Sequence, residues 1–174
     1  YLLVANHQSM FDIPLFGALL FTSYPKYISK AELGKWIPSI SYNLRRGGNV
    51  LIDRGDRSKA TEAIRELGRI AQARGVSAVI YPEGTRARTG ELGRFRPAGT
   101  VALLEAAPDL EVVPVTIDNS WKLMRWGMFP VPFGTYIRIH LGDPIARSKD
   151  ESPYDILKEV RAQLEADLER WRAE

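Results

Sequence analysis

The chain of 174 residues has no cysteine, only two histidines and no apolar run as long as a membrane-spanning helix. The absence of cysteine excludes a disulfide scaffold, a thiolate metal site and a thiol nucleophile, and it agrees with a reducing compartment. A spanning helix needs roughly 18 or more apolar residues. The best candidate, from Ile13 to Phe21, is too short and follows Asp12 closely, so it reads as a buried or interfacial helix. There is no Gly-x-Ser-x-Gly elbow and no metal-ligand cluster, which removes the common hydrolase routes. Histidine chemistry is confined to His7 and His140.

What is present is ordinary globular material. Hydrophobic residues make up 45% of the chain and charged residues 26%, enough for one domain with a buried core. The formal charge of +3 suits an anionic partner such as phosphate, a phosphorylated cofactor or an anionic membrane surface, though so small an excess fits no particular partner. Tyr1 opens directly on what reads as a core strand, without an initiator Met or signal-like region. Residues before it are therefore expected, among them an N-terminal membrane-associating segment.

The order of elements alternates. Short apolar runs at 2–5, 26–28, 49–53, 76–81, 112–117 and 136–141 read as strands. Helical spacing of apolar residues marks 58–74, closed by Gly75, and an amphipathic helix at 154–171; further helices are expected at 10–20 and 100–106. The pattern predicts an α/β layered fold, a largely parallel central sheet flanked by helices. Sites in such sheets gather beyond the carboxyl ends of strands. Three polar loops lie there: residues 6–12, 53–57 and 83–88.

His140 sits within a strand pattern and reads as a surface or half-buried residue. His7 follows directly on a core strand, in Asn6-His7-Gln8-Ser9-Met10-Phe11-Asp12. On one continuous helix a residue five positions on lies roughly 140° away, so His7 and Asp12 could not meet. They meet if His7 ends the strand, Ser9 caps a helix and Asp12 lies in its first turn. The carboxylate then fixes the imidazole tautomer and leaves the other nitrogen as a general base. This is the base and orienter of a serine-protease triad without a protein nucleophile, so a substrate hydroxyl attacks. Spacing alone serves equally well for a loop histidine beside an acid that favours the helix dipole.

The other loops carry arginines. Tyr81-Pro82-Glu83-Gly84-Thr85-Arg86 leaves a strand through proline into a glycine turn, and Arg86 offers a planar fork of donors suited to phosphate. Glu83 is an odd neighbour for an anion unless it orients another donor. Asp53-Arg54-Gly55-Asp56-Arg57 adds two more arginines at a strand end. Taken singly, each loop also fits a solvated surface turn.

In order along the chain, these blocks resemble the glycerophospholipid acyltransferase family, which includes 1-acylglycerol-3-phosphate acyltransferase. Asn6-His7 through Asp12 is similar to the first block, Asn-His, four residues, then Asp. Gly48-Asn49-Val50-Leu51-Ile52-Asp53-Arg54 resembles the second and Tyr81 through Arg86 the third. Val113-Pro114-Val115 resembles the fourth, and Lys30-Ala31-Glu32-Leu33 with Ile37-Pro38 the segment between the first two. The resemblance covers about residues 4 to 145 and implies a glycerol-3-phosphate acyltransferase-like fold, with residues 1–174 forming one catalytic domain.

It further implies His7 as general base, Asp12 as its partner, and Arg54, Glu83, Gly84, Thr85 and Arg86 around the acceptor phosphate. Asn6, Lys30 and Arg96 are candidate acceptor or acyl contacts. The implied donor is an acyl thioester on coenzyme A or acyl carrier protein, with no metal and no bound cofactor. Phosphatidate is the expected product, at the cytoplasmic face of a membrane such as a bacterial inner membrane, and no nucleic acid is involved. Glycerol 3-phosphate, other lysophospholipids and lyso-aminolipids are alternative acceptors, and a non-catalytic phospholipid-binding domain is the alternative class. The family's usual Phe-Lys-x-Gly is replaced by Phe95-Arg96-Pro97-Ala98-Gly99, where Arg96 keeps the charge but not the geometry of lysine. The run from Trp121 to Pro130, rich in aromatics and bases, reads as a membrane or acyl-chain contact, or as a loop covering the core.

Overall fold

The computed structural model describes residues 1–20, 25–30, 50–52, 57–127, 130–148 and 151–174. Six described strands form one sheet: β1 (Leu2–Ala5), β2 (Lys26–Lys30), β3 (Val50–Ile52), β4 (Ala78–Ile80), β5 (Val112–Asp118) and β6 (Arg138–Leu141). Their spatial order is β3-β2-β4-β1-β5-β6. The first five run parallel, and β6 pairs antiparallel with β5 at the edge. The helices are α1 (Asp12–Leu19), α2 (Arg57–Arg74), α3 (Pro97–Ala106) and α4 (Pro153–Ala173), with a 3₁₀ turn at Ser120–Met124. The expected α/β architecture is the one observed.

Both faces of the sheet are covered, which explains why its central strands are continuously apolar. Leu2, Val4, Ala78, Ile80 and Val112 face a core closed by Leu67 and Ala71 of α2, Leu103 and Leu104 of α3, and Ile156, Val160 and Leu164 of α4. Leu3, Ala5, Val79, Val113, Val115 and Ile117 face the other way, against Phe16 of α1 and Tyr27. Successive residues of β1 thus serve opposite cores.

The element boundaries differ from expectation where caps decide them. The strand expected from 76 begins at Ala78, because the amides of Gly75 and Val76 bond back to Gln72 O and Ala71 O and finish α2. Helix α3 starts three residues early, at Pro97, since proline suits the first helical position. Pro153 likewise opens α4, where the Ser152 hydroxyl accepts from the Tyr154 N–H. The expected cap at Ser9 is not found: α1 begins at Asp12, after Phe11, with no side-chain cap. The Ser9 hydroxyl instead accepts from the Phe11 N–H at 3.2 Å within the loop.

Because β1, β4 and β5 are adjacent and parallel, their carboxyl ends emerge at one edge of the sheet. Residues 6–12, 81–96 and 119–124 continue from those ends. The segment 31–49 and the loop 53–56, which holds Arg54, lie outside the described residues, as does the side chain of Lys30.

Candidate active site

Asp12 is the centre of the arrangement. It is fully buried, and a buried carboxylate must find donors for its lone pairs. Oδ2 accepts from His7 Nδ1 at 2.8 Å, from the Gln8 N–H at 2.8 Å and from the Ser9 N–H at 2.9 Å. Oδ1 accepts from the Ser120 hydroxyl at 2.6 Å. The loop therefore folds back from strand to helix, and His7 meets Asp12 as the turn geometry requires. Oδ2 already accepts from two backbone amides, so the tautomer that suits this contact has the proton on Nδ1 and a lone pair on Nε2. The His7 side chain is 15% exposed, partly open to solvent.

One further contact holds the imidazole itself, and two hold the His7 backbone. The Tyr81 ring stacks on it with centroids 4.2 Å apart and planes 19° from parallel. Burial raises the Tyr81 phenol well above its ordinary range, and the charge of Asp12 adds to the rise. The phenol therefore stays protonated and cannot serve as a base. At the backbone, the His7 N–H donates to Glu83 Oε1 at 2.8 Å, and the Ala87 N–H donates to the His7 carbonyl at 2.7 Å.

Glu83 was expected beside the acceptor phosphate, and its geometry differs. The residue is buried; Oε2 accepts from the Gly93 N–H at 2.8 Å while Oε1 holds His7. A carboxylate in that position clamps two loops together and would repel an anion. Gly84 follows in a tight turn at φ +66, closed by its N–H to Tyr81 O at 3.0 Å, a backbone conformation that side chains resist. Arg96 lies over it: a Cβ on Gly84 would sit 3.5 Å from Arg96 Cδ. Thr85 is exposed.

Asn6, a candidate substrate contact, is also a correction. Its amide donates to Ile117 O at 2.8 Å and accepts from the Ile117 N–H at 2.7 Å, both buried. Buried and bonded through both its N–H and its carbonyl oxygen, it staples the end of β1 to β5 rather than facing a ligand.

Arg86 and Arg88 flank the residue bonded to His7, so both stand at the rim of the site. Arg86 is half-buried, and its guanidinium lies against Met124 Sδ at 3.7 Å, a weak acceptor. Among the described residues no carboxylate pairs with Arg86, Arg88, Arg94 or Arg96. Among the described residues the site thus combines a part-buried imidazole with arginines that no carboxylate pairs. Among the described residues no three His, Asp or Glu side chains converge where a metal could sit.

Ser120 was missed by sequence reasoning, as was the clamp at Glu83. A signal existed for the first: Asp118-Asn119-Ser120 is a polar triplet at the carboxyl end of β5, a fourth loop of the same kind. His140 is half-exposed, as its strand position suggested, but it also pairs with buried Asp167 at 2.7 Å, and Thr116 donates to the same oxygen at 2.7 Å. That second pair joins β5 and β6 to α4.

A family model described as Acyltransferase matches residues 1–118. The chain is 31% identical over 147 residues to a chloroplastic 1-acyl-sn-glycerol-3-phosphate acyltransferase of Brassica napus, covering 84% of this chain and 41% of that one. It is 35% identical over 126 residues to the 1-acyl-sn-glycerol-3-phosphate acyltransferase of Helicobacter pylori, covering 71% and 51%. The chain therefore spans only about half, or less, of the length of these curated relatives. Among solved structures, the 1-acyl-sn-glycerophosphate acyltransferase PlsC of Thermotoga maritima aligns over 100% of this chain and 67% of its own, with a TM-score of 0.75 and 28% identity.

Proposed function

Because the chain belongs to the acyltransferase family, we propose that it transfers a fatty acyl group from an acyl thioester to the hydroxyl of a lysophospholipid, foremost 1-acylglycerol 3-phosphate. The observation that carries this reading is the 2.8 Å bond from His7 Nδ1 to Asp12 Oδ2, which leaves Nε2 as the base. Nε2 takes the proton from the acceptor hydroxyl as its oxygen attacks the thioester carbonyl carbon. The tetrahedral intermediate collapses, the carbon–sulfur bond breaks, and the imidazolium returns the proton to the leaving thiolate. Asp12 stabilises the imidazolium.

The donor enters as co-substrate, on coenzyme A or acyl carrier protein, so no resident cofactor is needed. The guanidinium of Arg86, which no carboxylate among the described residues pairs, and Arg96 over Gly84 support the reading of an acceptor-phosphate site, to which Arg54 belongs by motif. The reaction is placed at the cytoplasmic face of a membrane. Among the described residues no helix is long and apolar enough to cross one. Exposed Trp126, Val131, Phe133 and Tyr136, beside exposed Lys122 and Arg125, suit contact with an anionic lipid surface.

The test is an acyl-transfer assay of His7→Ala and Arg86→Ala against the parent, with acyl-CoA and either lysophosphatidate or a monoacylglycerol. His7→Ala is expected to lose activity by at least about a hundredfold, the lower range for a general base. Arg86→Ala is expected to lose more with the phosphate-bearing acceptor. Parent-like rates for His7→Ala sink the base assignment, and equal losses on both acceptors sink the phosphate role.

A further inference from the structure

The His7–Asp12 pair is local in sequence, yet one of its atoms is held from far away. Three donors meet at Asp12 Oδ2, all from the loop of residues 7–9. Oδ1 has one donor among the described residues, the Ser120 hydroxyl, 108 positions later. A carboxylate torsion is intrinsically broad and roughly two-fold. Contacts on Oδ2 alone let the group tilt about its Cβ–Cγ bond; a bond to Oδ1 fixes that tilt and keeps Oδ2 aligned with Nδ1.

Ser120 is itself placed by the sheet. It is fully buried and opens the 3₁₀ turn as β5 ends at Asp118. Asn119 makes the corner at φ 67, a left-handed conformation that asparagine tolerates better than most residues. Two residues before that corner, Ile117 is stapled to Asn6, the neighbour of His7. The parallel register of β1 and β5 therefore fixes the distance from Ser120 to Asp12.

We propose that Ser120 is a positioning residue for acyl transfer, setting the carboxylate plane of Asp12 and through it the direction of His7 Nε2. The proposal rests on the reading of His7 as base. Loss of the hydroxyl leaves a fully buried carboxylate oxygen without its donor, so the plane of Asp12 turns and the base points away from the acceptor hydroxyl. Substrate binding is untouched, because Ser120 is buried and meets no solvent.

Ser120→Ala and Ser120→Thr are compared with the parent for kcat, for KM of each substrate and for thermal midpoint, with His7→Ala run alongside. Ser120→Ala is expected to lower kcat by about ten- to a hundredfold, the range of a hydrogen bond to a charged group, with both KM values held. Ser120→Thr, which keeps the donor, restores most of kcat. If the added methyl prevents folding, Ser120→Cys takes its place, and as a weaker donor it should fall between parent and alanine. A parent-like kcat for Ser120→Ala, a change in KM alone, or a rescue variant no better than alanine overturns the proposal. If His7→Ala also runs at the parent rate, the base reading fails first; if only Ser120→Ala does, that reading stands and the positioning role alone is lost.

Discussion

Asp12 and Glu83 are both buried carboxylates, and each needs donors, but they use different ones. Asp12 draws on two side chains and two backbone amides of the site; Glu83 draws on backbone amides from two separate loops. Burial raises the Glu83 carboxyl above its ordinary 4.5, and the amides of His7 and Gly93 lower it without cancelling the rise. The folded chain therefore holds the Glu83 proton more tightly than the unfolded chain does. That contribution to stability is complete below 4.5 and fades as pH climbs through the raised value. Glu83→Gln has no such titration. Urea midpoints measured from pH 4 upward should show the parent losing ground to the variant across that window, with a constant gap above it. A gap independent of pH throughout would contradict the assignment. Sequence could offer Glu83 only as a charged residue in an arginine loop. Its true partners lie at |i−j| of 76 and 10 and are backbone amides, which carry no residue-specific signal.

Among the elements, α2 and α3 pack closely at a glycine. A Cβ built on Gly68 of α2 would lie 2.8 Å from Ala106 Cβ and 3.0 Å from Leu103 O of α3. Alanine in a helix interior is favoured over glycine by about 1 kcal/mol, whereas overpacking a tight contact costs about 1–3 kcal/mol. The second effect prevails because a backbone carbonyl cannot rotate aside. Gly68→Ala should lower the thermal midpoint by roughly 3 °C, and a rise would show that the helices simply separate. This glycine reads from sequence as a blemish in a helical pattern. The helix itself was legible from Ile64, Leu67 and Ala71, β1 from its unbroken apolar run and β5 from a largely apolar one. What periodicity does not carry is the cap: Ser9 had the right type for one, but the carboxylate of Asp12 claims its amide, and the helix starts later. Asn6 looked like a site residue for the same reason, a polar group in the right loop; only the neighbouring strand turns it into a staple.

For the molecule as a whole, the surface carries both the arginines of the site rim and exposed aromatics after the 3₁₀ turn. Phe133 is 106% exposed and Trp126 60%. Replacing both by serine should weaken binding to vesicles containing anionic phospholipid by about tenfold or more, from the apolar area withdrawn from water. Raising salt should weaken the parent further. Co-sedimentation with vesicles measures this, and unchanged binding of the double variant would place the contact elsewhere.

The spans of the three bonds at the dyad also set an order of assembly. His7 and Asp12 are five residues apart, so a short segment can bring them together before the rest of the chain is organised. The bonds from Glu83 and Ser120 close 76 and 108 residues, and such distant pairings form only when the strands between them have found their places. A refolding chain therefore possesses its reagents early and their alignment late. If the chain transfers acyl groups as proposed, that activity should return with the completed sheet rather than with the first helix, a clock for the last step of folding.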